Sequence, residues 1–508
     1  MMRLFTYICL VTLLLSISFF VEISQADPSV REVLDAMQKA PEFFVDEVSC
    51  RGGYLWRYSE DLSRGWGEAP ARPTQIELHQ IGTPHVGEIL LRAFDLTGNE
   101  FYLTNSKKAA NAIIWGQHPL GGWHYFIDFN TAGIRQWYKE DSSKFKWGMQ
   151  EYHHYYGNYS FDDNATQSPT RFLLKLYMHT LDPVYRKPLL RALDFFLMAQ
   201  YPNGAWPQRY PLMYEYVYEG HADYTSYYTF NDGVMSNNID VLMEAWEQIG
   251  NEDYRKAAVR GMDFYIISQG AEKQAGWCEQ HGMDLMPAWG RTHEPPTYTS
   301  FITVTNIRDL MRFYLMTGDF RYLNPIPGAI KWFEESTIEI LGDGRHKLAL
   351  YYEVGTNLPL YMHNSDDVTP EGYGIHLYDH DPTDNNYENE KNWWNPGKFT
   401  IIDIKKLKSE YNRLEALTPE EAMAEYRTKK AAKPQHPKIE AGKIEELIHS
   451  MDERGAWVEE IKVFLKDTTL NGEPAYSGPW ANNTIQGISI FSFVRNMNML
   501  MDYLEKVR

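Results

Sequence analysis

Apolar residues recur at helical spacing through most of the chain. Phe172 and Leu176 lie about one turn apart, and Leu189, Leu193 and Phe196 continue the pattern in the next segment. Apolar positions three and four residues apart form one face of an α-helix. The pattern therefore predicts amphipathic helices separated by short breaks, and patterns typical of strands are sparse.

The breaks between predicted helices repeat. Four of them read TGNEFY, TLDPVY, IGNEDY and TGDFRY, and end at Tyr102, Tyr185, Tyr254 and Tyr322. In three units a tryptophan follows the second helix, at Trp123, Trp206 and Trp277. The tyrosines are 83, 69 and 68 residues apart and the tryptophans 83 and 71, so both mark the same unit. Each unit is predicted to be a helical hairpin, and such hairpins bury their apolar faces only by stacking on one another.

The repeat predicts an all-α fold, an (α/α) toroid of helical hairpins with the tryptophan loops on one rim. A linear helical solenoid is the alternative. Residues 27–150 are predicted to form an N-terminal hairpin repeat or cap, and 151–365 the toroid core. Residues 366–460 contain the polar run YDHDPTDNNYENEKNWWNPGK and a long charged stretch, which predict an insertion with short helices. Residues 461–508 end in an apolar helix expected to dock on the toroid.

Residues 1–26 are predicted to be a signal peptide. Arg3 precedes an apolar run from Ile8 to Val21, and the small residues of the SQA sequence follow it. The run is shorter than the ~20 residues that a membrane-spanning helix needs. We therefore expect export to the periplasm or the extracellular space, with no membrane contact after cleavage; an uncleaved anchor is the alternative.

The net charge of −19 argues against a nucleic-acid partner, because phosphate binding needs a basic surface. It is compatible with a polyanionic ligand if metal ions bridge the charges. Cys50 and Cys278 are the only cysteines after the signal segment, and the sequence leaves open whether they pair. We expect a monomer.

The loop MAQYPNGAWPQRYP, residues 198–211, joins the second helix of one unit to the next unit. Asn203 and Gly204 predict a turn, and Pro207 and Pro211 stiffen the loop. One interpretation is a packed rim in which Trp206 fills a gap between hairpins. The other is a rigid platform on which a sugar ring stacks.

Two acidic clusters precede the first helices of adjacent units. FDDNATQSPT contains Asp162 and Asp163, with Ser168 as the expected helix cap, and TFNDG contains Asn231 and Asp232. Helix capping is the simple interpretation of each cluster. A toroid, however, brings both to one rim, where carboxylate and amide oxygens favour a hard cation such as calcium. The adjacent His153 and His154 are predicted to be loop residues rather than ligands.

PAWGRTHEPP brings Arg291 and Glu294 after the third tryptophan. These two residues form either a local ion pair that holds the loop or a site where arginine grips a ligand carboxylate.

The chain resembles the family 10 polysaccharide lyases, which are pectate lyases of (α/α) toroid fold. The resemblance rests on DDNATQ, AQYPNGAWPQRYP, TFND, PAWGRTHEPP and YYEVGTNLP, in that order, across about residues 150–365. It implies calcium-dependent β-elimination of polygalacturonate, an acidic polysaccharide. It also implies metal ligands at Asp162 and Asp232 and a catalytic-site arginine at Arg291. With the neighbouring motifs, it assigns substrate binding to Trp206, Gln208, Tyr210, Asn231 and Glu294.

The chain departs from the family where the resemblance would place a catalytic arginine. The corresponding positions are Leu350, Leu358 and about Asn364, so no base is assigned. Gly282 also replaces an aspartate of the family pattern. Three functions follow as alternatives: a calcium-dependent lyase on pectate or a related uronan, a pectate-binding relative without catalysis, and a glycoside hydrolase using Asp162 and Asp232 as acid and base.

Overall fold

The computed structural model describes residues 27–507 except 68–69, 80, 132, 138–156, 214–216, 219–220, 223, 292–293, 369–373, 382–398, 433–438 and 464–483. The predicted signal peptide and the predicted loop residues His153 and His154 lie outside the described residues. Within the described part, no helix combines the length and apolar character needed to cross a membrane.

The described helices account for most of the regular structure. They are α1 Val30–Phe43, α2 Thr83–Thr97, α3 Glu100–Trp115, α4 Gly133–Trp137, α5 Gln167–Thr180, α6 Pro183–Ala199, α7 Val234–Ile249, α8 Glu252–Ile267, α9 Ser300–Thr317, α10 Ile326–Glu335, α11 Ile404–Glu415, α12 Pro419–Ala431, α13 Ala441–His449 and α14 Ile490–Val507.

The predicted repeat units are helical hairpins. The pairs α2–α3, α5–α6, α7–α8 and α9–α10 follow one another, and the first helices of the first three pairs pack side by side. At the N-terminal end of this row, α14 packs on α1 and α2. The structure confirms the all-α class and the (α/α) toroid of hairpins.

The repeated tyrosines and tryptophans hold these hairpins together. Tyr102, Tyr185, Tyr254 and Tyr322 are at most 2% exposed. The indole Nε1 groups of the three tryptophans donate to main-chain carbonyls at the end of the second helix of their own unit, those of Ile113, Phe196 and Tyr265. The repeat visible in the sequence is therefore a packing repeat: each aromatic side chain fills the same position in its hairpin.

The charged stretch after residue 366 belongs partly to the toroid, so its prediction as an insertion is wrong for residues 404–431. Helix α11 packs on α10 and helix α12 on α9. The ion pair of Arg413 with Glu425 joins α11 to α12, so the two form a further hairpin. Leu407 and Leu414 are buried in the main core, and the Tyr314 hydroxyl donates to the Leu417 carbonyl at 2.6 Å. The apolar residues are few because this hairpin buries only a narrow stripe.

Short strands are more numerous than the sequence pattern indicated. They are β1 Arg57–Ser59, β2 Gly65–Trp66, β3 Pro70–Ala71, β4 Gln75–Glu77, β5 Phe126–Asp128, β6 Tyr159–Ser160, β7 Arg209–Tyr210, β8 Val217–Tyr218, β9 His221–Ala222, β10 Tyr228–Thr229, β11 Gln280–His281, β12 Thr297–Thr299, β13 Glu339–Ile340, β14 His346–Ala349, β15 Tyr351–Glu353, β16 Pro359–Val368, β17 Gly374–Asp379, β18 Phe399–Ile402, β19 Val458–Lys462 and β20 Thr484–Ser489. Most are too short to show an alternating pattern.

Four antiparallel strand pairs matter for the site, because each joins the chain entering one hairpin to the chain leaving it. They are β4–β5, β6–β7, β10–β11 and β12–β15, with registers such as Tyr159↔Tyr210 and Tyr228↔His281. All four pairs are therefore at the open end of their hairpins. This arrangement produces the common rim that the repeat predicted.

Cys50 and Cys278 are free thiols, so the possible disulfide between them does not form. Cys278 is buried, and its Sγ donates to the Gln280 carbonyl at 2.8 Å. The fold is held by packing rather than by a covalent link between these residues.

Candidate functional site

Two matching tight turns carry the acidic clusters at the rim. They are Asp162–Asn164, before α5, and Asn231–Gly233, before α7. Asp163 and Asp232 occupy equivalent left-handed positions in them, with φ of 47° and 49°. The backbone N–H groups of Phe161 and Phe230, one residue before each turn, donate to equivalent carbonyls of the strands leaving the hairpins. The repeat thus places an aspartate at the same point of adjacent hairpins.

Neither cluster caps its helix through a side chain. Helix α5 begins after Thr166 rather than at the predicted cap Ser168, and α7 begins after Gly233. Neither of these two caps has a side-chain hydrogen bond to the helix. The capping interpretation is therefore wrong for both clusters, and the carboxylates are available for another purpose.

The structure brings Asp162 and Asp232 together, as predicted, and adds Asp163. One carboxylate oxygen from each of the three lies within 4.8 Å of the others. Asp162 is 1% exposed, whereas the side chain of Asp232 is 33% exposed. The group is therefore a recess that is closed on the Asp162 side and open to solvent on the Asp232 side.

The oxygens of Asp162 have different partners. Its Oδ2 accepts a hydrogen bond from the Tyr125 hydroxyl at 2.6 Å, whereas its buried Oδ1 has no hydrogen-bond partner. Calcium binds oxygen at about 2.3–2.6 Å, which places two ligands of one ion at most about 5 Å apart. The three-carboxylate group fits this spacing, and its all-oxygen chemistry suits a hard cation such as calcium.

The charges of the group are unequal. Burial opposes ionisation of Asp162, but Arg291, Asp232 and Tyr125 outweigh it and lower the pKa of Asp162. Desolvation and repulsion by Asp162 and Asp163 raise the pKa of Asp232 well above its ordinary value. Crowded carboxylates without a cation retain a proton, and a bound cation displaces it.

Arg291 lies beside this group and is held there by Glu294. Its Nη2 is 3.9 Å from Asp232 Oδ2 and 2.5 Å from Glu294 Oε1, and it is 4% exposed. Glu294 also accepts from Asn231 Nδ2 at 2.7 Å. The predicted substrate contact of Glu294 is corrected, because its carboxylate is 1% exposed and bonds Arg291 and Asn231. Its role is to anchor both residues at the rim.

Trp206 is not a stacking platform. Its side chain is 0% exposed, so its predicted place in a sugar cleft is wrong and the packed-rim interpretation is correct. Tyr210 is half-buried, with its ring edge against Phe195 at a centroid distance of 5.8 Å. The aromatic content of this loop therefore serves mainly to close the hairpin.

Gln208 and Glu279 are equivalent positions, each two residues after a tryptophan. Their carbonyls accept from Phe161 and Phe230, which places them against the two acidic turns. Gln208 is 1% exposed, and neither its amide nitrogen nor its amide oxygen has a hydrogen-bond partner. Glu279 Oε2 is likewise buried and unpartnered, and burial, with repulsion by Glu294, raises the pKa of Glu279 well above its ordinary value.

Gln208 was predicted as a substrate-binding residue, whereas Asp163 was not predicted as a ligand and Glu279 was missed. The signal for both was the alignment of the repeats: Asp163 matches Asp232, and Glu279 follows Trp277 as Gln208 follows Trp206.

The region where a catalytic arginine was expected contains none at the described positions. Leu350 is buried, and its carbonyl accepts from Ser300, so it occupies in the α9–α10 unit the position that Gln208 and Glu279 occupy in theirs. Leu358 is 48% exposed, and the side chain of Asn364 lies outside the described residues.

The family model of pectic acid lyases matches residues 130–349 of this chain. The match covers less than half of the chain, and it confirms the resemblance inferred from the motifs. No curated protein matches the chain.

Among solved structures, the chain is similar to a family 10 polysaccharide lyase from Cellvibrio cellulosa. The identity is 20% and the TM-score 0.38, over 53% of this chain and 82% of the other. It is also similar to the GH76A α-1,6-mannanase of Salegentibacter sp. HEL1_6, with 11% identity and a TM-score of 0.36 over 94% and 99% of the two chains. A third similar structure is an unsaturated glucuronyl hydrolase specific for heparin. The identity is 9% and the TM-score 0.37, over 94% of this chain and 96% of the other. These likenesses carry no argument about this chain's chemistry.

Proposed function

We propose that this protein cleaves pectate, or a related uronan, by calcium-assisted β-elimination. The observation that carries the proposal is the three-carboxylate group with its unpartnered buried oxygen on Asp162, beside a buried arginine at the rim. The pectic acid lyase match covers all four of these residues. We also propose that the protein is exported and monomeric, and that its partner is the acidic polysaccharide.

The cation would be held by Asp162, Asp163 and Asp232. When bound, it would withdraw electron density from a uronate carboxylate and make the adjacent C–H bond more acidic. It would also allow a chain of net charge −19 to bind a polyanion.

Arg291 supplies a second positive charge at the same place. Glu294 fixes its guanidinium through Nε and Nη2 at 3.1 and 2.5 Å, so the arginine does not reorganise when substrate arrives. A fixed guanidinium suits a carboxylate of the substrate, because its planar fork matches two oxygens. We assign to Arg291 the orientation of the uronate carboxylate.

We assign Gln208 to a sugar hydroxyl because, unlike the equally buried Glu294, both of its amide atoms lack a hydrogen-bond partner. Its side chain is 1% exposed, so the sugar has to displace the residues that cover it. A buried amide without partners costs about 1–3 kcal/mol, and a ligand that donates and accepts hydrogen bonds recovers that cost. The main-chain carbonyl of Gln208 accepts from Phe161, the residue before the Asp162 turn, so this residue belongs to the wall of the same site.

A pectate-binding protein without catalysis is the second candidate. The observation in its favour is the pair of leucines, Leu350 and Leu358, at expected arginine positions. A hydrolase using Asp162 and Asp232 has less support, because Asp162 is 1% exposed and one of its oxygens is bonded to Tyr125. A catalytic carboxyl group of a glycosidase must reach the glycosidic bond.

The test is ultraviolet absorbance of the unsaturated uronate formed from polygalacturonate, with calcium and then with a chelator. We expect a calcium-dependent rise that falls by about 100-fold or more in Asp232→Ala, because a metal ligand is lost. Asp343→Ala is the matched control, since Asp343 is an acidic turn residue bonded to Arg345 instead of the site.

The other outcomes separate the alternatives. New reducing ends without absorbance would establish a hydrolase. Retardation of the protein in a pectate gel with neither product would establish the binding protein.

A further inference from the structure

We propose that Tyr125, from the N-terminal hairpin unit, is a positioning residue for the Asp162 carboxylate. Tyr125 precedes the segment matched by the pectic acid lyase model, so the added unit forms one wall of the site. The inference rests on the proposed calcium function, and it assigns a part in it to a residue that no motif identified.

The hydrogen bonds of the Tyr125 hydroxyl have a fixed direction. Arg209 Nη2 lies 3.2 Å from this oxygen, and a guanidinium only donates. The tyrosine therefore accepts from Arg209 and directs its own proton to Asp162 Oδ2, at 2.6 Å. The guanidinium also lies 5.3 Å from the centroid of the tyrosine ring, so the same arginine restrains both ends of the side chain.

The N-terminal unit holds Tyr125 in place from the other side. The Tyr125 carbonyl accepts from Leu78 N at 2.7 Å, and its ring packs on His79 at a centroid distance of 4.7 Å. His79 Nδ1 is in turn 2.8 Å from Glu77 Oε1, and all these side chains are buried. A tyrosine clamped in this way has no other rotamer to adopt without breaking a buried contact.

The position of Tyr125 in the repeat explains its reach. It is two residues after Trp123, as Gln208 and Glu279 are two residues after their tryptophans. In each case the main-chain carbonyl accepts from the chain that enters the hairpin, from the N–H groups of Leu78, Phe161 and Phe230. The first unit therefore contributes a hydroxyl at the position where the next two contribute an amide and a carboxyl group.

The consequence is a carboxylate with one oxygen occupied and one available. Tyr125 bonds Oδ2, and Oδ1 remains as the buried, unpartnered oxygen of Asp162. Without the hydroxyl, the carboxylate can rotate about its Cβ–Cγ bond. Loss of a residue that orients a metal ligand typically weakens metal affinity by about 10–100-fold.

The experiment compares Tyr125→Phe with the wild type by isothermal titration with calcium chloride, in the absence of substrate. We expect the calcium Kd to rise by about 10–100-fold. Tyr201→Phe is the matched control: it also removes a hydroxyl bonded within the rim, to the Ser226 carbonyl at 2.5 Å, but one that does not touch the acidic group. Its calcium Kd should stay within about twofold of the wild type.

Lyase rate against calcium concentration gives the second readout. If Tyr125 positions Asp162, saturating calcium restores kcat/KM in Tyr125→Phe; a defect that calcium does not rescue would overturn the assignment. In the Asp162→Asn background, Tyr125→Phe should cause no further loss of calcium affinity.

The possible failures are distinguishable. An unchanged calcium Kd in Tyr125→Phe, with a wild type that binds calcium, overturns the role of Tyr125 alone. A wild type that binds no calcium overturns the calcium part of the proposed function and the role of Tyr125 with it.

Discussion

At the residue scale, two neighbours in one loop have opposite roles. Trp206 is fully buried, and its indole N–H is bonded to Phe196. Gln208, two residues later, is buried with both amide atoms unpartnered. Stability accounts for the tryptophan but not for the glutamine, because an apolar residue of the same size would avoid the cost of the unpaired amide. Residues that weaken a fold in this way are typical of binding sites.

Gln208→Leu is predicted to make the folded protein more stable and to weaken its binding of pectate. The free energy of unfolding should rise by about 1–3 kcal/mol, because the unpaired amide is removed. Pectate affinity in calcium should fall by about tenfold, equivalent to ~1.4 kcal/mol. Urea unfolding and titration calorimetry measure the two effects.

Gln167→Leu is the control for this prediction. The Gln167 amide donates to Phe161 O at 2.7 Å and to Asn238 Oδ1 at 2.9 Å, so the same replacement should lower stability. A loss of stability in Gln208→Leu as well would contradict the assignment of Gln208 to the ligand.

At the scale of elements, the turn that leaves each hairpin sets its distance from the next one. Gly204 adopts φ +97°, and a Cβ there would lie 2.0 Å from the Arg260 carbonyl oxygen in α8. Trp206 follows and closes the hairpin behind it. The turn therefore fixes the spacing of adjacent hairpins, and with it the approach of the two acidic turns.

Gly204→Ala and Gly250→Ala separate this contact from backbone strain. Gly250 has φ +80° but open space around its Cβ position, so alanine should cost about 1–2 kcal/mol from the left-handed conformation alone. Gly204→Ala should cost at least about 2 kcal/mol more, because two main-chain segments must separate. Chemical denaturation of both variants measures the difference, and equal losses would refute the role of the close approach.

At the scale of the whole molecule, buried neutral histidines limit the fold at acid pH. Burial lowers the pKa of His281 to about 4 and that of His124 to about 3. In the unfolded chain a histidine binds its proton near pH 6.5. Between about pH 6.5 and pH 4, His281 is therefore protonated in the unfolded chain and neutral in the folded one. The free energy of unfolding falls as the pH decreases through this range.

His281→Gln should flatten this dependence. From about pH 6.5 down to about 4, the wild type should lose up to ~1.4 kcal/mol of unfolding free energy per pH unit through His281, and the variant should lose that much less. Glutamine has an amide N–H to replace the contact of His281 Nε2 with the Ser268 carbonyl. Urea midpoints across this range provide the measurement, with His380→Gln at an exposed site as the control. An unchanged slope in His281→Gln would show that other groups cause the acid sensitivity.

The sequence alone predicted the hairpin repeat, the toroid class, and the meeting of Asp162 with Asp232. Helical periodicity is a local property, and Asp162 and Asp232, 70 residues apart in a repeat of about that length, lie at nearly equivalent positions on adjacent hairpins. The hairpin at residues 404–431 escaped prediction because Leu407 and Leu414 form a thin apolar stripe in a charged segment. Asp163 was not predicted as a ligand, although the repeat aligns it with Asp232, because the sequence does not show that both occupy the same left-handed position of their turns.

The tertiary structure alone decided which way the rim side chains face and what they contact. An indole side chain such as that of Trp206 can either stack on a sugar or pack in a core. The position of the next hairpin determines that Trp206 packs in the core. Tyr125 joins Asp162 across two units, and nothing local to either residue encodes a hydrogen bond over 37 positions of sequence. Helical periodicity depends on residues close together in the sequence. The site lies where separate hairpins meet, so its contacts form only after the hairpins have stacked.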